Sequence, residues 1–255
     1  MIAVQLYTIR AQLQDPSRLG GALQRLREIG YGAVEVAGLG PNTVGRFGEE
    51  LKRAGLVACA AHVALDRLGG DLDGVAAECK EWGCKYVVIP SLPGPYRSQQ
   101  GYGRFAAEAI ELAERLASHG LQLVYHNHAY ELERYGDQTG LEMVMSSDRP
   151  NAVHVELDTY WLQYGGMNPA DWIRRYKHRV PLVHLKDMAI DQGRPVDAEV
   201  GEGNLNWIEI LSACREAETR WLVVEQDEPR RDPMQSVATS YANLVKLLER
   251  VGLEG

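Results

Sequence analysis

Side chains able to do chemistry recur in this chain at the ends of short apolar runs. In VYHNHAYE (124–131), two of the seven histidines, His126 and His128, stand one residue apart with Glu131 just beyond. His62 ends the run LVACAAH, Glu156 and Asp158 end VHVELD, VPLVHLKD carries His184 and Lys186, and WLVVEQDE carries Glu225 and Asp227. If these runs are strands, residues two apart share a face, so His126 lies with His128, Glu156 with Asp158, His184 with Lys186 and Glu225 with Asp227. Charge placed among apolar residues is expensive to bury unless it is paired or bound to a metal. Imidazole and carboxylate together make a site for one divalent ion, Mn, Zn, Co or Fe, with Mg preferring fewer histidines.

The elements that must position these residues are legible as an alternation. The runs 2–9, 33–38, 56–65, 85–91, 121–128, 152–160, 180–187 and 221–228 are β-branched or apolar and read as eight strands. Amphipathic stretches over 15–30, 43–55, 70–83, 102–120, 138–147, 168–179, 205–217 and 232–252 read as helices. Their signals include Asp15 and Asn168 before proline at the start and Gly30 at the end. Eight βα units in 255 residues predict an α/β fold, a single-domain (β/α)8 TIM barrel over 1–255. A doubly wound open sheet competes, but YTIRAQLQDP after the first strand holds no GxGxxG turn. In a barrel the C-terminal strand ends carry the chemistry, which is where the residues above fall.

Composition narrows the partners. A net charge of -8 disfavours a phosphate backbone as ligand, and no apolar run approaches the roughly 18 residues of a membrane span. The expectation is a cytoplasmic protein that binds neither nucleic acid nor membrane, with a homo-oligomer left open. Cys59, Cys79, Cys84 and Cys214 lack zinc or CxxC redox spacing and read as buried reduced thiols. His154, near the start of its strand, reads as structural, and His119 and His178, at helix ends, as surface residues. A structural ion-pair network is the competing reading for Asp158, His184 and Glu225. Strand-end capping is the alternative for Lys186, and a plain turn role for Glu202.

HLKD (184–187), VGEGNLNW (200–207), VVEQDE (223–228), ELDTYW (156–161) and YHNHAYE (125–131) together resemble the xylose isomerase-like TIM barrels called sugar phosphate isomerases/epimerases. That superfamily also holds inosose dehydratases, ketose 3-epimerases, hydroxypyruvate isomerases and endonuclease IV. The resemblance spans almost the whole chain; it is specific for the superfamily and poorly specific for substrate. It implies one divalent metal held by His126, Asp158, His184 and Glu225. The last three match the family pattern directly. At the first, many members carry Glu where this chain has His126. A metal-bound imidazole cannot serve as the second base of a two-glutamate epimerase, so the substitution leans towards isomerisation or dehydration.

The chemistry implied is removal of a proton next to a carbonyl of a keto-sugar or inosose, with the metal stabilising the enediolate. Glu225 would act as ligand and base, and His128, Lys186 and His62 as further catalytic groups. Tyr7, Glu35, Glu131, Trp161 and Glu202 are the candidate substrate contacts, and Tyr130 another aromatic wall residue. No Gly-rich phosphate cradle is visible; Arg10, Arg97 and Arg104 are the single candidates for that role. A nuclease like endonuclease IV would need a trinuclear zinc site and a basic surface, against seven histidines and a net charge of -8. A non-catalytic sugar-binding barrel is the other class left open.

Overall fold

The computed structural model of the protein describes residues 1–147, 149 and 152–252; the expected domain 1–255 therefore includes 148, 150, 151 and 253–255 outside the described residues. Eight parallel strands close into a barrel, each beside its neighbour in sequence: β1 (Ile2–Gln5), β2 (Ala33–Val36), β3 (Val57–His62), β4 (Tyr86–Ile89), β5 (Gln122–His126), β6 (His154–Asp158), β7 (Leu182–Leu185) and β8 (Trp221–Val224). β1 pairs with both β2 and β8, which completes the ring. The fold expected from the alternation is the fold found. Among the described residues no helix is long and apolar enough to cross a membrane.

Each strand is shorter than its apolar run, and at β1 and β6 a polar side chain turns the chain at the C-terminal end. The Gln5 side chain accepts the Tyr7 N–H at 3.2 Å and bends residues Leu6–Ile9 into a 3-10 turn. Asp158 accepts the Trp161 N–H at 3.0 Å and opens the short helix Thr159–Tyr164, which the apolar pattern had extended into strand. The helix expected over 70–83 is found as Leu72–Trp82, started by Asp71 accepting the Gly74 N–H, and a short helix absent from the sequence reading, Leu65–Gly70, precedes it. The stretch 138–147 shortens to Gly140–Val144, started by a Thr139–Glu142 capping box.

Alternation along the strands separates two cores. Outward residues such as Val4, Val34, Val87, Leu123, Val155 and Val183 pack against the helices, while Ala3, Ala33, Ala60, Val88, Val124 and Val223 fill the barrel floor. Above that floor the inward positions turn polar. Register sets Gln5 beside Glu35, His126 beside Glu156 and Asp158 beside His184.

A hairpin absent from the sequence reading, Asp187–Asp191 with Arg194–Ala198, rises from the end of β7. Gln192 (φ 48) and Gly193 (φ 78) make its turn, the two left-handed residues of a tight hairpin. Asp187, fully buried, ties this region down. Its carboxylate accepts backbone N–H groups of Met188, Gly201, Gly203 and Leu205 at 2.8 to 3.2 Å, and the Trp207 indole N–H. A Cβ at Gly203 would overlap the Asp187 carboxylate, so the VGEGNLNW loop needs glycine there. Asp197 on the hairpin accepts the N–H groups of Asp227 and Glu228, at 2.7 and 2.9 Å, and so braces the end of β8. Asp187→Ala strands these donors; we expect a loss of about 3 kcal/mol in denaturant titrations, with Asp187→Asn intermediate.

Candidate metal and catalytic centre

β5 to β8 deliver one ligand atom each from His126, Asp158, His184 and Glu225, all within 4.8 Å of one another and all buried. His184 Nδ1 lies 2.9 Å from Glu225 Oε2 and 3.9 Å from Asp158 Oδ2. Two imidazoles and two carboxylates suit one divalent cation in donor type and charge. Asp158 Oδ2, fully enclosed, accepts no hydrogen bond among the described residues, and the charge that faces it is the Lys186 ammonium. Lys186 stands beside this set, its Nζ 3.2 Å from Asp158 Oδ2, 2.9 Å from Glu225 Oε2 and 2.6 Å from Asp227 Oδ2.

The electrostatics follow from these contacts. Burial opposes the Lys186 charge, yet Asp158, Glu225 and Asp227 raise it well above the ordinary lysine value. Burial pushes Glu225 up, but Lys186 and His184 outweigh it and hold the carboxylate ionised. Burial, reinforced by the charge of His184, holds His126 well below the ordinary imidazole value and therefore neutral, as a ligand must be.

One layer deeper lie residues whose importance the sequence reading underrated. Glu156 Oε2 is 3.0 Å from His62 Nε2, 3.1 Å from His126 Nδ1 and 3.1 Å from His184 Nε2. Glu35 stands opposite, its Oε2 2.6 Å from His184 Nε2 and 2.8 Å from Gln5 Nε2, its Oε1 3.3 Å from His62 Nε2. Burial and Glu35 push Glu156 up, and His184 and His126 overcome them to hold it at about 2. Burial alone would neutralise His62, but Glu35 and Glu156 hold it at about 10. The signal was present in the sequence: Glu156 shares the face of Asp158, two residues on.

A cavity of about 360 Å³ opens above the upper set, lined among others by Tyr7, His62, His126, His128, Glu225 and Asp227. His128 is held at about 4 by burial and by Lys186, hence neutral, and its Nδ1 is enclosed without a partner. Its ring lies 5.5 Å from Tyr130 and 5.3 Å from Trp161, which pack against it. The structure thus brings His62, His126, His128, Asp158, His184, Lys186 and Glu225 together.

Three candidate substrate contacts sit elsewhere. Glu35 is fully buried beneath His184. Glu131, also buried, accepts the Tyr125 hydroxyl and the His128 N–H, the latter at 2.9 Å, and so fixes His128. Glu202 pairs with Arg231 at 2.7 Å in a separate cleft beside the hairpin. None of the three is among the residues that line the cavity, and each carboxylate has a partner inside the protein.

Of the arginines considered for phosphate, Arg10 stacks 4.1 Å over Tyr7, Arg97 3.8 Å over Tyr130 and Arg104 4.1 Å over Tyr96. His119 and His178 are surface residues near Asp73 and Glu218, and the four cysteines are buried free thiols.

Comparison with known proteins agrees with this architecture. Residues 23–247 match the model of the family described as xylose isomerase-like TIM barrel. An inosose dehydratase of Geobacillus kaustophilus is 25% identical over 265 residues, covering 88% of this chain and 84% of that protein. A sugar phosphate isomerase/epimerase of Parabacteroides distasonis superposes with a TM-score of 0.80 at 21% identity, over 95% of this chain and 92% of that one. The IolI protein, solved with a zinc atom bound, gives 0.75 at 14% identity, over 98% of both chains. The closed eight-stranded barrel and the family match across nearly its whole length lead to one conclusion: this protein belongs to the xylose isomerase-like TIM barrel family.

Proposed function

We propose that this protein is a divalent-metal-dependent lyase that removes water from a keto-cyclitol or keto-sugar, beginning with the proton next to the carbonyl. The observation that carries the reading is the convergence of His126, Asp158, His184 and Glu225 under a polar cavity. The similarity to an inosose dehydratase along most of both chains supports the substrate class and the reaction. A divalent ion held by those four residues would supply Lewis-acid polarisation of the carbonyl.

The chain's own residues account for the proton transfers. Two imidazoles on the cavity wall are driven in opposite directions, His128 to about 4 and His62 to about 10. At neutral pH one is a neutral base and the other a charged acid, the division of labour that elimination needs. His128, neutral on the cavity wall, takes the α-proton. His62 protonates the departing hydroxyl, which leaves as water; solvent in the cavity then returns a proton to His62 and takes the one held by His128, while Glu35 and Glu156 favour the recharged His62. Lys186, fixed as an ammonium by three carboxylates, sets positive charge beside the oxygen on which negative charge develops. Glu225, already engaged by His184 and Lys186 on one oxygen, serves as ligand in place of the base role first expected for it.

Inososes and keto-sugars incubated in deuterated water test the reading. We expect a product one water lighter, no turnover after chelation, and recovery when a divalent ion is returned. His128→Asn should keep its metal and lose about 10²-fold to 10⁴-fold in kcat. Deuterated substrate without loss of water would mean isomerisation or epimerisation, and full activity in His128→Asn would exclude His128 as base.

The pH profile has a definite sign. The base must be neutral, so kcat/KM falls as pH drops through the His128 value of about 4. The acid must be charged, so it also falls as pH rises through the His62 value of about 10. His62→Gln should abolish the alkaline limb; an alkaline limb unchanged in that variant would assign it to another group.

A further inference from the structure

The deeper layer has the make-up of a metal site in its own right. Ligand atoms of His62, His126, Glu156 and His184 lie within 4.8 Å of one another, and Glu35 closes the set from β2. Three imidazole nitrogens crowd Glu156 Oε2 at 3.0 to 3.1 Å, while its Oε1, equally buried, accepts nothing; Glu35 Oε1 is likewise without a hydrogen bond. One carboxylate oxygen has lone pairs for about two donors. His62 and His126 take up that capacity on Oε2 and His184 Nε2 is hydrogen-bonded to Glu35 Oε2, which leaves one enclosed oxygen of each carboxylate for a cation. Both carboxylates are fully buried, and a divalent ion would neutralise the pair with every histidine left in its neutral form.

We propose that this lower cluster is a second seat for a divalent cation, built from His62, His126, His184, Glu156 and Glu35, and that it excludes the upper one. It shares His126 and His184 with the seat of the proposed function and rests on that reading for them. His184 turns Nδ1 towards Glu225 and Asp158 above and Nε2 towards Glu156 and Glu35 below. An imidazole ligates two ions only after losing both ring protons, so at neutral pH one ion occupies one seat at a time. The seats differ in class. The upper has two nitrogens and two carboxylates, with Lys186 competing for the carboxylates; the lower has three nitrogens and two carboxylates. Imidazole-rich sites favour Zn²⁺ and Co²⁺, and carboxylates favour Mn²⁺ and Mg²⁺. The identity of the ion thus selects the seat, and an ion in the lower one lies among buried groups beneath the cavity.

Cobalt chloride added to the chelator-stripped full-length protein tests this, read by ligand-field absorption and by bound Co²⁺ per chain in equilibrium dialysis. D158N/E225Q lacks the upper carboxylates and should still bind one Co²⁺. Adding His62→Ala should weaken that binding by about tenfold or more. A folded D158N/E225Q that binds no Co²⁺, or binds it equally well without His62, overturns the second seat and leaves Glu35, His62 and Glu156 as groups that only orient the histidines. If D158N/E225Q does not fold, the single variant His62→Ala decides: an altered Co²⁺ spectrum supports the lower seat, and an unchanged spectrum and affinity overturns it. Wild-type protein that binds no Co²⁺ at all would defeat the metal-dependent reading as well, which separates the two failures.

Discussion

Carboxylates held away from water govern the mouth of this barrel. Glu35, Glu156 and Asp158 have no solvent exposure and Glu225 has 5%, yet the only lysine among them is Lys186. Glu35, Glu156 and Glu225 are held ionised and burial pushes Asp158 up to about 7, so the acids outweigh the one ammonium in surroundings that solvate charge poorly. Protons on His62 and His184 offset part of that excess, and a divalent ion offsets it more completely. The raised pKa values of Lys186 and His62 follow from this excess of acids, and the histidines and Lys186 in turn hold Glu156 and Glu225 down against burial.

A parallel barrel suits such an arrangement because closure stacks inward side chains in layers. Register alone puts Asp158 level with His184, and Glu156 level with His126. The apolar floor beneath and the helices outside are what make the polar layers rigid enough to keep like charges close. At the rim the same task falls to other acids. Asp187 gathers the loop after the hairpin, Asp197 fastens the hairpin to the end of β8, and Glu131 fixes His128.

The strands were legible because apolar runs announce them, and a period of two places His126, Asp158, His184, Lys186 and Glu225 on inward faces; the choice of four of these as one donor set came from the family resemblance. What alternation cannot reveal is which buried acid has found a partner. Glu131, Glu202 and Glu35 carry the same chemistry as Glu225, and only the fold shows their oxygens bound to Tyr125, Arg231 and His184. Glu156 was missed as a centre of the network because its role depends on His62 and His126 arriving from strands distant in sequence. The Asp187 hairpin escaped notice for a related reason, since MAIDQGRPVDA reads as a polar loop until Gln192 and Gly193 are seen to turn it.

Anomalous diffraction from crystals grown with Mn²⁺ and without chelator tests the central claim most directly. The account predicts a single manganese peak within coordination distance of donor atoms of His126, Asp158, His184 and Glu225. No peak among those residues, with the Lys186 ammonium still bridging Asp158 and Glu225, would contradict it.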